Sequence, residues 1–249
     1  MPTMKKINIC GVNFSNISSI ELGSILKEKL QGVPENYFIV TPNVDFIVRA
    51  NSDTKFRNVL NNSDLSLCDS AIGRVAAILL KNRIKEKITG SDLLKIISSN
   101  LERKTNCFVL GATEEIVKIF SYKLEQLYHN VKIAGFNHGY FGEDKDKRII
   151  NMINSANPDI LIIGMGSPKQ ELWVDKNKRF LKVKIIMCVG GVLDVMAGKT
   201  RRAPVWIQKI CLEWLWRLMQ DPKRLWKRYL VHDMKFFYLL LQESLRNKS

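Results

Sequence analysis

The chain reads as an α/β protein in which a mostly parallel sheet is flanked by helices and a helical appendage follows at the C-terminal end. Three observations predict this. Short runs of β-branched and aromatic residues alternate with segments of helical apolar periodicity through most of the chain. Glycines, prolines and small polar residues follow the apolar runs, where strand-to-helix connections fall. From about residue 200 the strand pattern ceases and Trp, Arg and Lys become frequent.

In order, the runs at 7–10, 37–41, 65–68, 107–111, 131–135, 160–164 and 185–189 are predicted strands. The segments 18–30, 71–80, 114–128 and 145–156 are predicted helices between them. That alternation places a largely parallel sheet between helical layers, a Rossmann-like architecture whose ligands belong outside the carboxyl ends of the strands. Beyond it, 203–220 and 225–243 read as two helices split at Asp221-Pro222, with Trp206, Trp214, Trp216 and Trp226 among their apolar positions. The expected division is a core of residues 1–199 and an appendage of residues 200–249.

A chain of 249 residues can bury a full α/β core, and 46% hydrophobic with 25% charged residues excludes disorder as the default. The net charge of +15 favours phosphate-bearing partners, so nucleic acid, anionic lipid and nucleotides all qualify. Residues 199–249 hold 12 Lys or Arg against 4 Asp or Glu, which makes the tail the electropositive part. Cys10, Cys68, Cys107, Cys188 and Cys211 are widely spaced without a CxxC pair, which points to reduced thiols in a cytoplasmic compartment. No stretch reaches the roughly 18–20 apolar residues of a spanning helix, so any membrane contact is expected to be peripheral and from the cytoplasmic face. His129, His138 and His232 lack ligand-like spacing, and neither a metal nor a cofactor is expected.

The loops after the strands carry the candidate chemistry. Thr41-Pro42-Asn43-Val44-Asp45 stops a strand with a proline and small polar side chains, which either cap the next helix or contact a ligand. Asp69 ends the 65–68 strand, where it reads equally as a helix cap and as a base that takes a proton from a hydroxyl. Gly164-Met165-Gly166 lets the backbone approach a ligand, and Ser167-Pro168 opens a helix whose free N–H groups favour phosphate, with Gln170 and Glu171 in its first turn. This loop falls short of GxGxxG because position 169 is Lys, and the 185–189 strand ends in Gly190-Gly191 without an acidic ribose ligand, so a nicotinamide site is disfavoured. Tyr140 and Phe141, in a glycine-flanked turn, are candidates for stacking on a base or sugar, although core packing is the commoner fate of such a pair. In the tail, Arg217, Arg224 and Arg228 share one face if the helix continues across Pro222. Basic groups among tryptophans there suit either a solvated face or diphosphate clamping and interfacial anchoring.

Taken together, these loops resemble the WecG/TagA/CpsF family of bacterial glycosyltransferases. The matching text is Thr41-Pro42-Asn43, Asp69-Ser70 with Gly73, Ile88-Thr89-Gly90-Ser91-Asp92, Gly139-Tyr140-Phe141 and the block from Gly164 to Glu171. Further along it continues with Val189-Gly190-Gly191 to Asp194, Ala197-Gly198, Arg202-Ala203-Pro204 and Glu213-Trp214 with Arg217, Pro222 and Arg224. The resemblance implies an inverting, metal-independent enzyme of surface polysaccharide or cell wall polymer synthesis. It implies transfer of an N-acetylmannosamine-type sugar, its uronic acid or glucose from a UDP-sugar donor to a polyprenyl-diphosphate-linked saccharide at the inner face of the cell membrane. Carried over by position, Asp69 resembles the catalytic base, and Thr41, Asn43 and Gln170 resemble substrate-contacting polar residues. Arg217 and Arg224 resemble arginines that hold the donor diphosphate, with Arg228 or Lys227 as a third. One departure stands beside the base: the family commonly has glycine where this chain has Ser70, and serine lacks glycine's freedom at positive φ. Two rival readings are a nucleic-acid-binding module driven by the basic tail, which leaves the strand-tip carboxylates unexplained, and another nucleotide-dependent α/β enzyme. On the resemblance no nucleic-acid partner is expected; oligomeric state stays open, a homo-oligomer included.

Overall fold

The computed structural model describes residues 4–210 and 212–246, the side chains of Gln208, Lys209 and Arg224 excepted. Its centre is a six-stranded, wholly parallel sheet built from β3 (Tyr37–Val40), β4 (Leu65–Ser66), β5 (Thr105–Gly111), β6 (Val131–Asn137), β7 (Ile160–Gly164) and β8 (Ile185–Cys188), in the order β4-β3-β8-β7-β5-β6. The fold class expected from the sequence is borne out.

Both faces of the sheet are covered, as parallel sheets require. Alternate residues go to opposite sides. Phe38, Val40, Phe108, Leu110, Leu161, Ile163, Ile186 and Cys188 join one apolar layer with α2 (Val44–Ser52), α3 (Thr54–Asn61), α4 (Ala71–Leu79), α7 (Asp146–Ala156) and α8 (Lys169–Asn177). Ile39, Cys107, Val109, Ile160, Ile162, Ile185 and Met187 join the other, with α1 (Ser19–Gln31), α5 (Gly90–Ser99), α6 (Glu114–Leu127) and α9 (Val192–Ala197). In register, Val40 lies beside Cys188, Cys188 beside Ile163 and Ile163 beside Leu110, so the loops that leave these strands emerge along one edge.

The strand expected at 7–10 does not enter this sheet. It forms β1 (Lys6–Ile9), which pairs antiparallel with β2 (Val12–Ser15) in a separate hairpin. The reason is a two-residue turn in which Cys10 (φ 48°) and Gly11 (φ 83°) both take positive φ, the geometry that matches hairpin twist.

The tail is helical, as expected, but more broken. The helix expected at 203–220 divides into α10 (Val205–Lys209) and α11 (Glu213–Gln220), and the Leu212 N–H reaches back to the Ile207 carbonyl in a wide, five-residue closure. Pro222 opens α12 (Pro222–Lys227), a π-helical turn covers Arg228–His232, and α13 (Lys235–Arg246) ends the described chain. Asp221, at φ −142° and ψ 66°, breaks the helix before Pro222. The continuous helical face that would align Arg217, Arg224 and Arg228 is therefore absent, because a proline with no N–H fits the first turn of a new helix and not the interior of an old one. Phe236 and Leu240 of α13 are buried in the layer that holds α2, α4 and the hairpin, and the Glu243 carboxylate accepts the Cys10 N–H. Among the described residues no helix is long and apolar enough to cross a membrane.

Candidate active site

The carboxyl edge of the sheet and the tail enclose a cavity of about 300 Å³. Asn43, Asp45, Asp69, Ser70 and Ile72 line it from the core, and Trp214, Arg217, Arg228, Tyr229, Asp233 and Phe237 from the tail.

Asp69 reaches this position because β4 is short. Leu67 continues the ladder by donating its N–H to the Val40 carbonyl (2.9 Å), and Asp69 donates its own N–H to the Pro42 carbonyl (3.0 Å), which pins the loop beside the β3 tip. The cap of α4 is Ser70, whose hydroxyl accepts the Gly73 N–H at 3.1 Å. The Asp69 carboxylate is thereby released from capping and faces the cavity. Ser70 sits at φ −149°, extended backbone that any residue adopts, so serine costs nothing there in place of glycine. Burial pushes the Asp69 carboxyl up to about 7; the Arg217 guanidinium opposes this, Glu213 adds to it and Lys87 opposes it. A base that titrates near neutrality suits proton removal from a hydroxyl at physiological pH.

Asn43 has two duties. Its Oδ1 accepts the Asp45 N–H (3.0 Å) as the cap of α2, and the residue also lines the cavity. Thr41 is buried two positions nearer the sheet, where its hydroxyl donates to the Cys188 carbonyl at 3.2 Å, and it lies outside the cavity lining. Gln170 is also outside. It is buried in the first turn of α8, its Nε2 donates to the Glu171 carboxylate at 2.6 Å, and its Oε1 is buried without a partner. Burial pushes Glu171 up to about 7, the Gln170 bond opposing it. Gly166, with φ 80°, leaves open space where a side chain would stand, so the loop before α8 presents bare backbone at the sheet edge. Phe141 packs edge-on against Trp173 and under Lys169, whereas Tyr140 is 72% exposed.

Arg217 of α11 and Arg228, just beyond α12, both line the cavity although the helix breaks between them at Asp221. The side chain of Arg224 lies outside the described residues. Lys87 and Glu213 form an ion pair at 3.3 Å that clips α11 to the core beside Asp69. Across the cavity, the Asp45 carboxylate accepts from Arg49 Nε at 3.0 Å, and burial together with Asp45 pushes Asp233 up to about 7 against Arg228 and Arg49. Sequence reasoning missed Lys87, Tyr229 and Asp233. Lys87 had a faint signal, standing directly before the Ile88–Asp92 motif, and Asp233 had none. The histidines and acids form no cluster able to hold a metal ion among the described residues. Cys10, Cys68, Cys107 and Cys188 are free and buried; Cys211 lies outside the described residues.

A carboxyl group pushed up to about 7 by burial, sharing a cavity with two guanidinium groups at the strand tips of an α/β sheet, fits a group-transfer enzyme that works on an anionic donor. The chain belongs to the glycosyl transferase WecG/TagA/CpsF family, whose model matches residues 7–249. It is 32% identical over 225 residues to an N-acetylglucosaminyldiphosphoundecaprenol N-acetyl-beta-D-mannosaminyltransferase of Staphylococcus aureus strain MW2, covering 88% of this chain and 87% of that one. The similarly named enzymes of strains NCTC 8325 / PS 47 and MRSA252 match with the same identity and coverage. The protein is a glycosyltransferase.

Proposed function

We propose that the protein transfers an N-acetylmannosamine-type sugar from a UDP-sugar to a polyprenyl-diphosphate-linked saccharide, by a single inverting displacement that needs no metal. The observation that carries this reading is that Asp69 shares one cavity with Arg217 and Arg228. The acceptor hydroxyl oxygen attacks the anomeric carbon while Asp69 takes the hydroxyl proton. The bond from the anomeric carbon to the diphosphate oxygen breaks, and its electron pair leaves with UDP. Arg217 and Arg228 stabilise the charge that grows on that oxygen, and Arg224 is assigned the same role by its place in the family pattern. Asn43 orients the acceptor or the sugar from the rim. Thr41 and Gln170 support the strand tips from behind and meet substrate only if the loop before α8 shifts.

The relatives' names supply the sugar and the acceptor class. Residues 200–249 act as a basic, Trp-rich appendage that completes the cavity and holds the enzyme peripherally on the inner face of the cell membrane. Incubation with a set of UDP-hexoses and a polyprenyl-diphosphate GlcNAc analogue, followed by mass spectrometry, tests the reaction. A product one N-acetylhexosamine heavier is expected from UDP-N-acetylmannosamine, and its absence with every donor refutes the assignment. A thermal-shift panel separates the rivals, because a ligand that binds only the folded state raises apparent stability. UDP should raise it, and oligonucleotides and NAD should not.

A further inference from the structure

The helix that begins beside the proposed base has an outer face that its own protein leaves uncovered. Gly73, Ala76 and Ala77 of α4, with Leu80 just beyond it, are buried against the core, whereas Val75, Ile78 and Leu79 are 52%, 63% and 60% exposed. Ile72 lines the cavity, and Val75 and Leu79 continue its row outward at spacings of three and four residues. On the opposite rim, Leu230, Met234 and Phe237 also line the cavity and are each more than half exposed. The cavity mouth is thus bordered on both sides by apolar side chains that face water.

The far end of this row is basic. A second cavity of about 600 Å³ is lined by Lys5, Asn16, Lys81, Asn82, Arg83 and Lys85. Among the described residues only Lys85 of these cations is ion-paired, to Glu21 at 2.6 Å. Exposed aliphatic side chains followed at once by uncommitted cations form the pattern of a surface that lies in the headgroup layer of an anionic membrane. A second copy of this chain is a poorer occupant, because each copy carries +15 and the cations around the patch would face their like.

We propose that the outer face of α4 rests on an anionic bilayer, with Val75, Ile78 and Leu79 at the boundary of headgroups and acyl chains and with Lys5, Lys81 and Arg83 on lipid phosphates. Membrane contact then includes the catalytic core as well as the tail. The cavity mouth opens toward the lipid, where the sugar end of a lipid-linked acceptor enters without leaving the interface. This inference rests on the acceptor class given under Proposed function.

The test uses the full-length protein and flotation with vesicles of phosphatidylcholine, with or without phosphatidylglycerol. The combined variant Val75→Glu, Ile78→Glu and Leu79→Glu should lower partitioning onto phosphatidylglycerol vesicles by roughly tenfold or more, and Lys81→Glu with Arg83→Glu should lower it to a similar extent. Transfer to an acceptor embedded in those vesicles should fall in step, and transfer to a short-chain, water-soluble acceptor should stay within about twofold of the parent. Unchanged partitioning overturns the proposal. So does the loss of a sedimenting dimer in the variants with vesicle binding intact, which would assign the face to a second copy. To exclude misfolding, Ile78→Cys carrying an environment-sensitive fluorophore should shift to the blue on phosphatidylglycerol vesicles, and an unshifted spectrum also overturns it. Failure of the parent protein on the soluble acceptor would strike the proposed reaction and leave the membrane inference standing.

Discussion

Replacing Asp69 by Asn should sharply slow turnover and, at neutral to alkaline pH, make the protein more stable. The activity half follows from its role as base. General-base catalysis contributes roughly 10²- to 10⁴-fold, so turnover should drop by about that much while the fold persists. The stability half follows from burial, which raises the carboxyl from 3.8 to about 7 in the folded protein. Below 3.8 the group is protonated in both states and costs nothing. As pH climbs through that value the unfolded chain releases its proton while the folded protein keeps it, so stability declines until pH passes about 7 and is level above that. At about 1.4 kcal/mol for each tenfold change in proton affinity, the full loss is about 4 kcal/mol, of which roughly 2–3 kcal/mol accrues between about pH 5 and about pH 8. Asn carries no such proton. The melting temperature of Asp69→Asn relative to the parent should therefore rise between those two pH values by several degrees, about 2–4 °C for each kcal/mol in a chain of this size. Scanning calorimetry across pH, paired with the mass-spectrometric transfer assay, reads both halves. A pH-independent difference in melting temperature would mean that Asp69 is well solvated, and near-normal turnover would remove it from the chemistry.

Other consequences are as direct. Arg217→Gln removes the cation that opposes the raised Asp69 pKa, so the rising limb of the pH–rate profile should move to higher pH, and the KM for the UDP-sugar should rise by roughly 10- to 100-fold for the loss of a charge-assisted hydrogen bond; an unmoved limb would separate Arg217 from the base. Phe236→Ala, at a fully buried side chain, should cost about 3–5 kcal/mol in urea unfolding and make the tail sensitive to protease; a cost below about 1 kcal/mol would show that α13 does not anchor the tail. Gly164→Ala places a Cβ 2.5 Å from Leu193 Cδ1 and 2.9 Å from the Gly190 carbonyl oxygen, and since the backbone contact cannot yield, it should destabilise by about 1–3 kcal/mol and disturb both glycine loops. Parent-like melting and transfer in that variant would mean that the two strand tips have room to part.

The parallel core was legible in the sequence because burial on both faces leaves near-continuous apolar runs such as 160–164 and 185–188, and these differ visibly from the helical periodicity between them. The hairpin was not legible, since its turn is Cys10-Gly11 and cysteine is no marker for positive φ. Asp69 and Ser70 show the limit most clearly. Both are competent caps, adjacent at one strand end, and composition alone leaves either choice open. The backbone settles it by giving the cap to Ser70.

By itself, then, the order of residues determined the class of fold, the strand ends from which the candidate site is built and the cationic tail, since periodicity, turn chemistry and charge are local properties that survive being read along a line. Only the tertiary structure decided which of those ends share a cavity, that Lys87 and Asp233 join them while Thr41 and Gln170 stand behind, and that Asp69 titrates near neutrality. Those outcomes depend on desolvation and Coulomb interaction, which are set by distance through space, and residues 69 and 217 become neighbours only when the tail has folded back over the edge of the sheet.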